Sequence, residues 1–112
     1  MSGISTHVLD TSLGRAAVGI PVVLERADGQ HWSTVASCVT DGDGRCPNLV
    51  PVENVHAGRF RLTFATAAYL GERHQPTLYP EVSIIFDVAA DRANYHIPLL
   101  LNPFGYTTYR GT

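Results

Sequence analysis

The sequence predicts an all-β domain, a sandwich or barrel of antiparallel strands that carries one short helix. Turn-forming glycine, proline and aspartate residues recur along the whole chain, and the short runs between them are rich in valine, isoleucine, threonine and aromatic residues. Such spacing of turns and short strands is typical of all-β sandwiches and barrels. The length of 112 residues, 45% of them hydrophobic, suits a single domain over 1–112 with its own core.

The first half of the chain predicts three strands, at 4–9, 20–26 and 31–39. The turn Ala27-Asp28-Gly29 between the last two is a hairpin signal, because aspartate followed by glycine favours the tight turns that join antiparallel strands. A further short strand is considered around 48–51.

Alternate hydrophobic residues share one face in two strands of the second half, 59–65 and 82–88. They are Phe60, Leu62 and Phe64 in the first of these strands, and Val82, Ile84, Phe86 and Val88 in the second. The segment between them, 66–74, contains helix formers and no alternation. We therefore expect one short helix there, ended by Pro76.

The same alternation sorts the side chains of the strands 94–101, 105–111 and 4–9 into faces. Tyr95, Ile97, Leu99 and Leu101 share the face of the first strand that we expect to meet the core, unless a bulge at Pro98 reverses part of this assignment. In the strand 4–9, Ile4, Thr6 and Val8 share one face, opposite Ser5 and His7. One face of the final strand carries Tyr106, Thr108, Arg110 and Thr112. Three strands therefore present His7, His96 and Arg110 on faces that need not belong to the core.

Charge, terminal sequence and cysteine content argue against several classes of protein. The net charge is −2 and the basic residues are scattered, so no nucleic-acid surface is expected. The N-terminus lacks the charged and apolar regions of a secretory signal, and no apolar run reaches the roughly 20 residues of a membrane-spanning helix. We therefore expect a cytoplasmic protein. Cys38 and Cys46 are accordingly expected as reduced thiols, with one disulfide bridge as the alternative.

Common catalytic and ligand-binding motifs do not occur in the sequence. There is no G-x-S-x-G element for a nucleophilic serine and no glycine-rich loop leading into a helix for phosphate. The loop 41–45, Asp-Gly-Asp-Gly-Arg, lacks the later acceptors of a calcium loop, so it is interpreted as a tight turn that presents Arg45. The five histidines do not show zinc-ligand spacing. Each in-strand histidine, His7 or His96, is therefore either functional or a satisfied core or interface residue.

Four stretches together closely resemble the transthyretin-like proteins that act as 5-hydroxyisourate hydrolase in urate degradation. They are STHVLD (5–10), TDGDGR (40–45), YPEV (79–82) and YHIPLLLNPFGYTTYRGT (95–112). The resemblance runs from about residue 4 to the last residue. Its most specific part is the final Tyr-Arg-Gly-Thr, which corresponds to a C-terminal Tyr-Arg-Gly-Ser in that family.

The resemblance implies a two-sheet transthyretin-like (prealbumin-like) β-sandwich with one short α-helix, assembled as a homotetramer, a dimer of dimers with active sites in a channel between the dimers. It also implies a hydrolase that converts 5-hydroxyisourate to 2-oxo-4-hydroxy-4-carboxy-5-ureidoimidazoline by water attack on a cyclic amide bond. The residues carried over by motif are catalytic His7, Arg45 and His96, and substrate-binding Tyr109, Arg110, Gly111 and Thr112. No cofactor, metal, nucleic acid or membrane is expected as a partner.

These residue types suit the hydrolysis of an activated, amide-like bond. We expect His7 or His96 to act as general base on water, with His7 favoured, since imidazole accepts a proton near neutral pH. Arg45 would polarise the substrate and keep the neighbouring histidine neutral. Arg110 and Thr112 would orient the substrate. Thr112 stands where the family usually has serine, so the hydroxyl is kept while an added methyl restricts χ1.

A non-catalytic small-molecule carrier, which transthyretin itself is, is the alternative function. The fold alone does not separate a carrier from an enzyme. A carrier of apolar ligands needs an apolar channel, however, and two histidines with two arginines favour the enzyme. The C-terminal residues are expected to form part of the pocket, so a C-terminal tag should reduce activity more than an N-terminal tag.

Overall fold

Two β-sheets and one short helix make up the described residues, 2–73, 76–91 and 93–111, of the computed structural model. The first sheet contains β1 (Ser2–Asp10), β2 (Arg15–Ala16), β5 (Arg45–Pro51), β8 (Tyr95–Asn102) and β9 (Gly105–Thr108). The second sheet contains β3 (Pro21–Asp28), β4 (His31–Val39), β6 (Gly58–Phe64) and β7 (Val82–Val88). A 3-10 turn (Val52–Asn54) precedes β6, and the helix α1 (Ala67–Arg73) follows it. The predicted two-sheet, mostly β architecture with one short helix is confirmed.

The strand order is β2-β1-β8-β9 in the first sheet, with β5 also paired to β1, and β4-β3-β6-β7 in the second. β1 and β8 run parallel, whereas the other paired strands of the described residues are antiparallel. The prediction of antiparallel strands was therefore wrong for this one pair. Its two strands are far apart in the chain, and their relative direction has no local sequence signal.

The core lies between the sheets and includes most of the alternate residues that the sequence placed on one face of each strand, although Ile84 and Phe86 are only partly buried. In β1, Ile4, Thr6 and Val8 are fully buried, and the inward residues of β6 and β8 are at most 6% exposed. Thr6 is the polar member of this set, and its hydroxyl donates to the backbone oxygen of Ile97. The opposite faces of β1 and β8 are thus free to carry polar side chains.

The element boundaries differ most from the prediction at β5, β2 and β9. β5 begins at Arg45, three residues before the predicted strand, and β2 was not predicted because two residues carry no periodicity. β9 ends at Thr108, and the chain then rejoins the sheet through an isolated bridge between Gly111 and His96. The predicted helix is confirmed at Ala67–Arg73, while His74 lies outside the described residues. No helix in the described ranges is long and apolar enough to cross a membrane.

Cys38 and Cys46 form a disulfide between β4 and β5, so the prediction of two reduced thiols was wrong. That prediction rested on the expected cellular compartment. The fold, however, brings strands of different sheets together at this edge, with 6.3 Å between the two Cα atoms. This separation lies within the range that a disulfide spans. The bridge therefore ties the strand that begins with Arg45 to the second sheet.

Candidate active site

Strand register brings three of the predicted site residues onto the outer face of the first sheet. His7 on β1 pairs with Arg45 on β5, and Ser5 on β1 pairs with His96 on β8. Directly paired residues point to the same side of a sheet, and so do residues two apart in one strand. The side chains of Ser5, His7, Arg45 and His96 therefore leave the sheet on the side away from the core.

A cavity of about 420 Å³ opens on this face. Its lining residues are Ser5, Thr6, Arg45, Pro47, Asn94, His96 and Gly111. The lining combines a permanent cation, an imidazole, a hydroxyl and a carboxamide, which together offer hydrogen bonds to the carbonyl and N–H groups of a polar ring. His7 lies beside this cavity, on the strand position next to Arg45.

The turn before β5 positions Arg45 through the carboxylate of Asp41. One oxygen of Asp41 accepts hydrogen bonds from the backbone N–H groups of Asp43, at 2.9 Å, and Arg45, at 3.0 Å. These two hydrogen bonds hold the pKa of Asp41 below its usual range, and the bond from Arg45 has the larger effect. Gly44 closes the turn with φ of 76°, a left-handed conformation that favours glycine. The predicted tight turn that presents Arg45 is confirmed.

His7 is fixed by the same turn. Its Nε2 lies 2.9 Å from the backbone oxygen of Asp43. A carbonyl oxygen only accepts hydrogen bonds, so Nε2 of His7 carries a proton and donates it to this bond. The turn thus orients the ring of His7 as well as positioning Arg45.

His96 is half-buried in the cavity, between Ser5 and Gly111. Its Nδ1 lies 2.8 Å from the hydroxyl oxygen of Ser5, and the N–H of Gly111 donates to its backbone oxygen at 2.7 Å. Burial lowers the pKa of His96 first, and the positive charges of Arg45 and His7 lower it further. Both effects favour the neutral form of the ring near pH 7.

The C-terminal residues divide between two surfaces. Gly111 lines the cavity, whereas Tyr109 and Arg110 line a separate groove of about 330 Å³ beside β7 and β8. The guanidinium carbon of Arg110 lies 4.3 Å from the centroid of the Tyr95 ring, and Nη2 donates to the backbone oxygen of Asn94 at 3.3 Å. In this single chain Arg110 thus holds the tail against β8, away from the cavity. Thr112 lies outside the described residues.

The sequence prediction assigned no role to three residues that the site uses: Ser5, Asp41 and Asn94. The alternation of β1 already placed Ser5 on the face of His7, which is the signal that could have identified it. Asp41 was interpreted only as part of a turn. Asn94 precedes the strand residue His96 by two positions, so the period of β8 predicts the shared face but not the cavity.

Comparison with known proteins gives a consistent assignment. The HIUase/Transthyretin family matches residues 4–111. The 5-hydroxyisourate hydrolase of Mus musculus is 40% identical, and the alignment covers 99% of this chain and 96% of the mouse protein. The enzyme of that name from Caulobacter vibrioides is 39% identical over the whole of both chains.

Solved structures agree with this assignment. The 5-hydroxyisourate hydrolase of Klebsiella pneumoniae superposes with a TM-score of 0.83 at 36% identity over 100% of both chains. Transthyretin from Sparus aurata superposes with a TM-score of 0.91 at 26% identity, over 99% of this chain and 97% of the other. The chain therefore belongs to the HIUase/Transthyretin family.

Proposed function

We propose that this protein hydrolyses 5-hydroxyisourate to 2-oxo-4-hydroxy-4-carboxy-5-ureidoimidazoline, by attack of water on a cyclic amide bond in urate catabolism. One observation carries the proposal: a neutral imidazole, His96, shares an open polar cavity with the cation Arg45. Hydrolysis needs a base for the water and a positive charge near the carbonyl oxygen. Relatives of this chain that carry the name 5-hydroxyisourate hydrolase support the choice of substrate.

His96 is the favoured general base. The sequence favoured His7, but Nε2 of His7 already donates to the backbone oxygen of Asp43, and His7 does not line the cavity. His96 lines the cavity and is neutral at physiological pH, so it can accept a proton there. His7 then contributes indirectly: it lies beside Arg45, and its charge helps to lower the pKa of His96.

Arg45 stabilises the charge that develops on the substrate. Its guanidinium stays protonated and offers a planar set of donors that matches adjacent carbonyl and imide groups. As water attacks the amide carbon, negative charge builds up on the carbonyl oxygen, and a fixed cation close to it lowers the barrier. The Asp41 turn keeps the backbone of Arg45 in place, so little reorganisation is needed.

The tail residues complete the substrate-binding side of the site. Gly111 is the tail residue on the cavity, and its lack of a side chain leaves room for the imidazole of His96. Arg110 contributes by holding the tail against β8, and Tyr109 lines the groove beside it. Thr112 follows directly, and we propose that its hydroxyl contacts the substrate.

We further propose that four copies assemble as a dimer of dimers. Two features support this: β7 and β9 each end their sheet, and the groove between these edges exposes apolar groups. Ile85 and Tyr109 in this groove are 57% and 54% exposed. Unpaired strand edges are ready sites for pairing with another chain.

A cytoplasmic location stays a prediction. Thiol trapping in intact cells would test it, because it reports whether Cys38 and Cys46 are reduced or joined in a disulfide in the cell.

A direct assay tests the proposed activity. Freshly prepared 5-hydroxyisourate should lose its ultraviolet absorbance faster with the protein than spontaneously. Replacing His96 with alanine should lower kcat by about 100-fold or more, the usual range for a general base, and replacing Arg45 or His7 should also lower it. His31→Ala is the control, because His31 lies exposed on β4 in the other sheet. Near-normal turnover in folded His96→Ala would remove His96 from the mechanism.

The same assay decides against the carrier function. A carrier would bind a small molecule without accelerating the loss of absorbance. The cavity on the first sheet favours the enzyme, because an apolar ligand would cover the guanidinium of Arg45 and Nε2 of His96 without offering them a hydrogen bond.

A further inference from the structure

The fold brings the hydroxyl of Ser5 within hydrogen-bond distance of one ring nitrogen of His96. Ser5 and His96 lie 91 residues apart in the chain but are register partners on the parallel strands β1 and β8. Their side chains therefore start close together on the same face of the sheet. The distance of 2.8 Å between the hydroxyl oxygen and Nδ1 is that of a good hydrogen bond.

Gly111 limits the space on the other side of the ring. A Cβ atom at residue 111 would lie 2.5 Å from Cδ2 of His96 and 3.2 Å from Cγ. The backbone of Gly111 is itself held by the hydrogen bond from its N–H to the backbone oxygen of His96. The imidazole is thus confined between a hydroxyl and a glycine, and within the described residues its hydrogen bond is made by Nδ1, which leaves Nε2 facing the cavity.

The hydrogen bond to Ser5 has two possible directions with different chemical consequences. If the hydroxyl donated to Nδ1, the proton of the neutral ring would sit on Nε2, and that nitrogen would have no lone pair for water. If Nδ1–H donates to the hydroxyl oxygen, Nε2 presents its lone pair to the cavity. Only the second arrangement persists when Nε2 takes up a proton, because both nitrogens of the imidazolium are donors.

We infer that Ser5 is a positioning residue of the hydrolysis: its oxygen accepts from Nδ1–H of His96, which fixes the tautomer whose Nε2 removes a proton from the attacking water. In this step the water O–H bond breaks, its proton moves to Nε2, and the water oxygen bonds to the amide carbon while the carbonyl π electrons move onto the carbonyl oxygen. The positive ring keeps its bond to Ser5. When the carbonyl re-forms, the C–N bond breaks and the leaving ring nitrogen takes the proton from Nε2. The inference rests on the proposed function.

The tautomer can be measured without substrate or turnover. In protein labelled with ¹⁵N at histidine, the ring nitrogen shifts of His96 report which nitrogen is protonated, recorded above the His96 pKa. We expect Nδ1 to be protonated in the wild type and in Ser5→Thr, which keeps a hydroxyl, and the Nε2–H form to increase in Ser5→Ala. Protonated Nε2 as the main form in the wild type would overturn the inference.

Steady-state kinetics provide a second test of the role of Ser5. Ser5→Ala should lower kcat about tenfold, as expected for the loss of one orienting hydrogen bond, with Ser5→Thr close to the wild type. Ser33→Ala, at an exposed position of β4, is the matched control and should leave kcat unchanged. Unchanged kcat and tautomer in folded Ser5→Ala would contradict the inference. Failure of the proposed function would look different, because the wild type itself would then not hydrolyse 5-hydroxyisourate.

Discussion

The imidazole of His96 is accessible to a ligand in the cavity, yet it is also partly shielded from water. These two properties usually oppose each other. Half-burial and the nearby cation Arg45 both disfavour its protonated form. A histidine with a lowered pKa is a weaker base, but its neutral form predominates near pH 7. The lowered pKa therefore reduces the affinity of His96 for a proton, but it keeps the ring in the neutral form that can act as a base at physiological pH.

The pKa of His96 should set the acid limb of the activity. We expect kcat/KM to be constant near pH 7 and to fall as the pH drops through a value below 6.5, where His96 becomes protonated. Arg45→Gln removes one positive charge, so the midpoint of the His96 titration should move upward. Proton NMR of the ring resonances measures this midpoint in the absence of substrate.

Arg59→Gln is the control for that titration. Arg59 lies on the second sheet in an exposed ion pair with Asp87, at 2.7 Å, and does not contribute to the pKa of His96. Its replacement should leave the His96 midpoint unchanged. A midpoint that stays fixed or moves down in Arg45→Gln would show that the electrostatic coupling between Arg45 and His96 is absent.

At the scale of elements, the turn before β5 connects backbone conformation to the site. Gly44 has φ of 76°, and a Cβ atom there would lie 2.5 Å from the backbone oxygen of Val8. That oxygen accepts from Ala17 at 2.9 Å, while the N–H of Val8 donates to the oxygen of Gly44. The turn is therefore packed against β1, the strand that carries Ser5 and His7.

Gly44→Ala should destabilise the fold by about 2 kcal/mol or more, since a side chain would meet both an unfavourable φ and a backbone atom. Urea unfolding measures this loss, and kcat should fall with it as Arg45 and His7 move. Gly29→Ala separates the two causes, because Gly29 has φ of 63° with open space around its Cβ position. Equal stability of Gly44→Ala and the wild type would contradict the packing described for this turn.

The disulfide is a second device that holds β5. Cys38 and Cys46 enclose a short loop, with a sequence separation of 8, for which the loss of unfolded-state entropy corresponds to about 2–3 kcal/mol. Reductant should therefore lower the free energy of unfolding by this amount and leave the double variant Cys38→Ala/Cys46→Ala unaffected. If reductant leaves the unfolding curve of the wild type in place, the bridge does not contribute to stability.

The sequence alone predicts features that neighbouring residues determine, but not features that join residues far apart in the chain. The faces of β6, β7 and β8 follow from a period of two residues, and the turn at Gly44 follows from its own aspartates and glycines. The pairing of β1 with β8 and the bridge between Cys38 and Cys46 join residues of separate elements, for which no local pattern exists. The contact of Ser5 with His96 belongs to the second class, so period alone could place both side chains outward but could not join them.

At the scale of the whole molecule, the cavity and the free strand edges lie on different surfaces. The cavity opens on the outer face of the first sheet, whereas the groove with Ile85 and Tyr109 lies along the edges of β7 and β9. One copy can therefore pair edge to edge with a second while its cavity faces a third. This arrangement permits the dimer of dimers that we propose.

Replacing Ile85 with lysine should break the edge contact, because a charge would enter an apolar interface at a sheet edge. Light scattering after gel filtration should give about four times the 12.2 kDa chain mass for the wild type and a smaller assembly for Ile85→Lys. Val35→Lys is the matched control, since Val35 is 43% exposed on β4 at the opposite edge of the second sheet. Because the tail residue Tyr109 lines the same groove, turnover should fall together with the mass. A fully active monomeric wild type would contradict the proposed assembly.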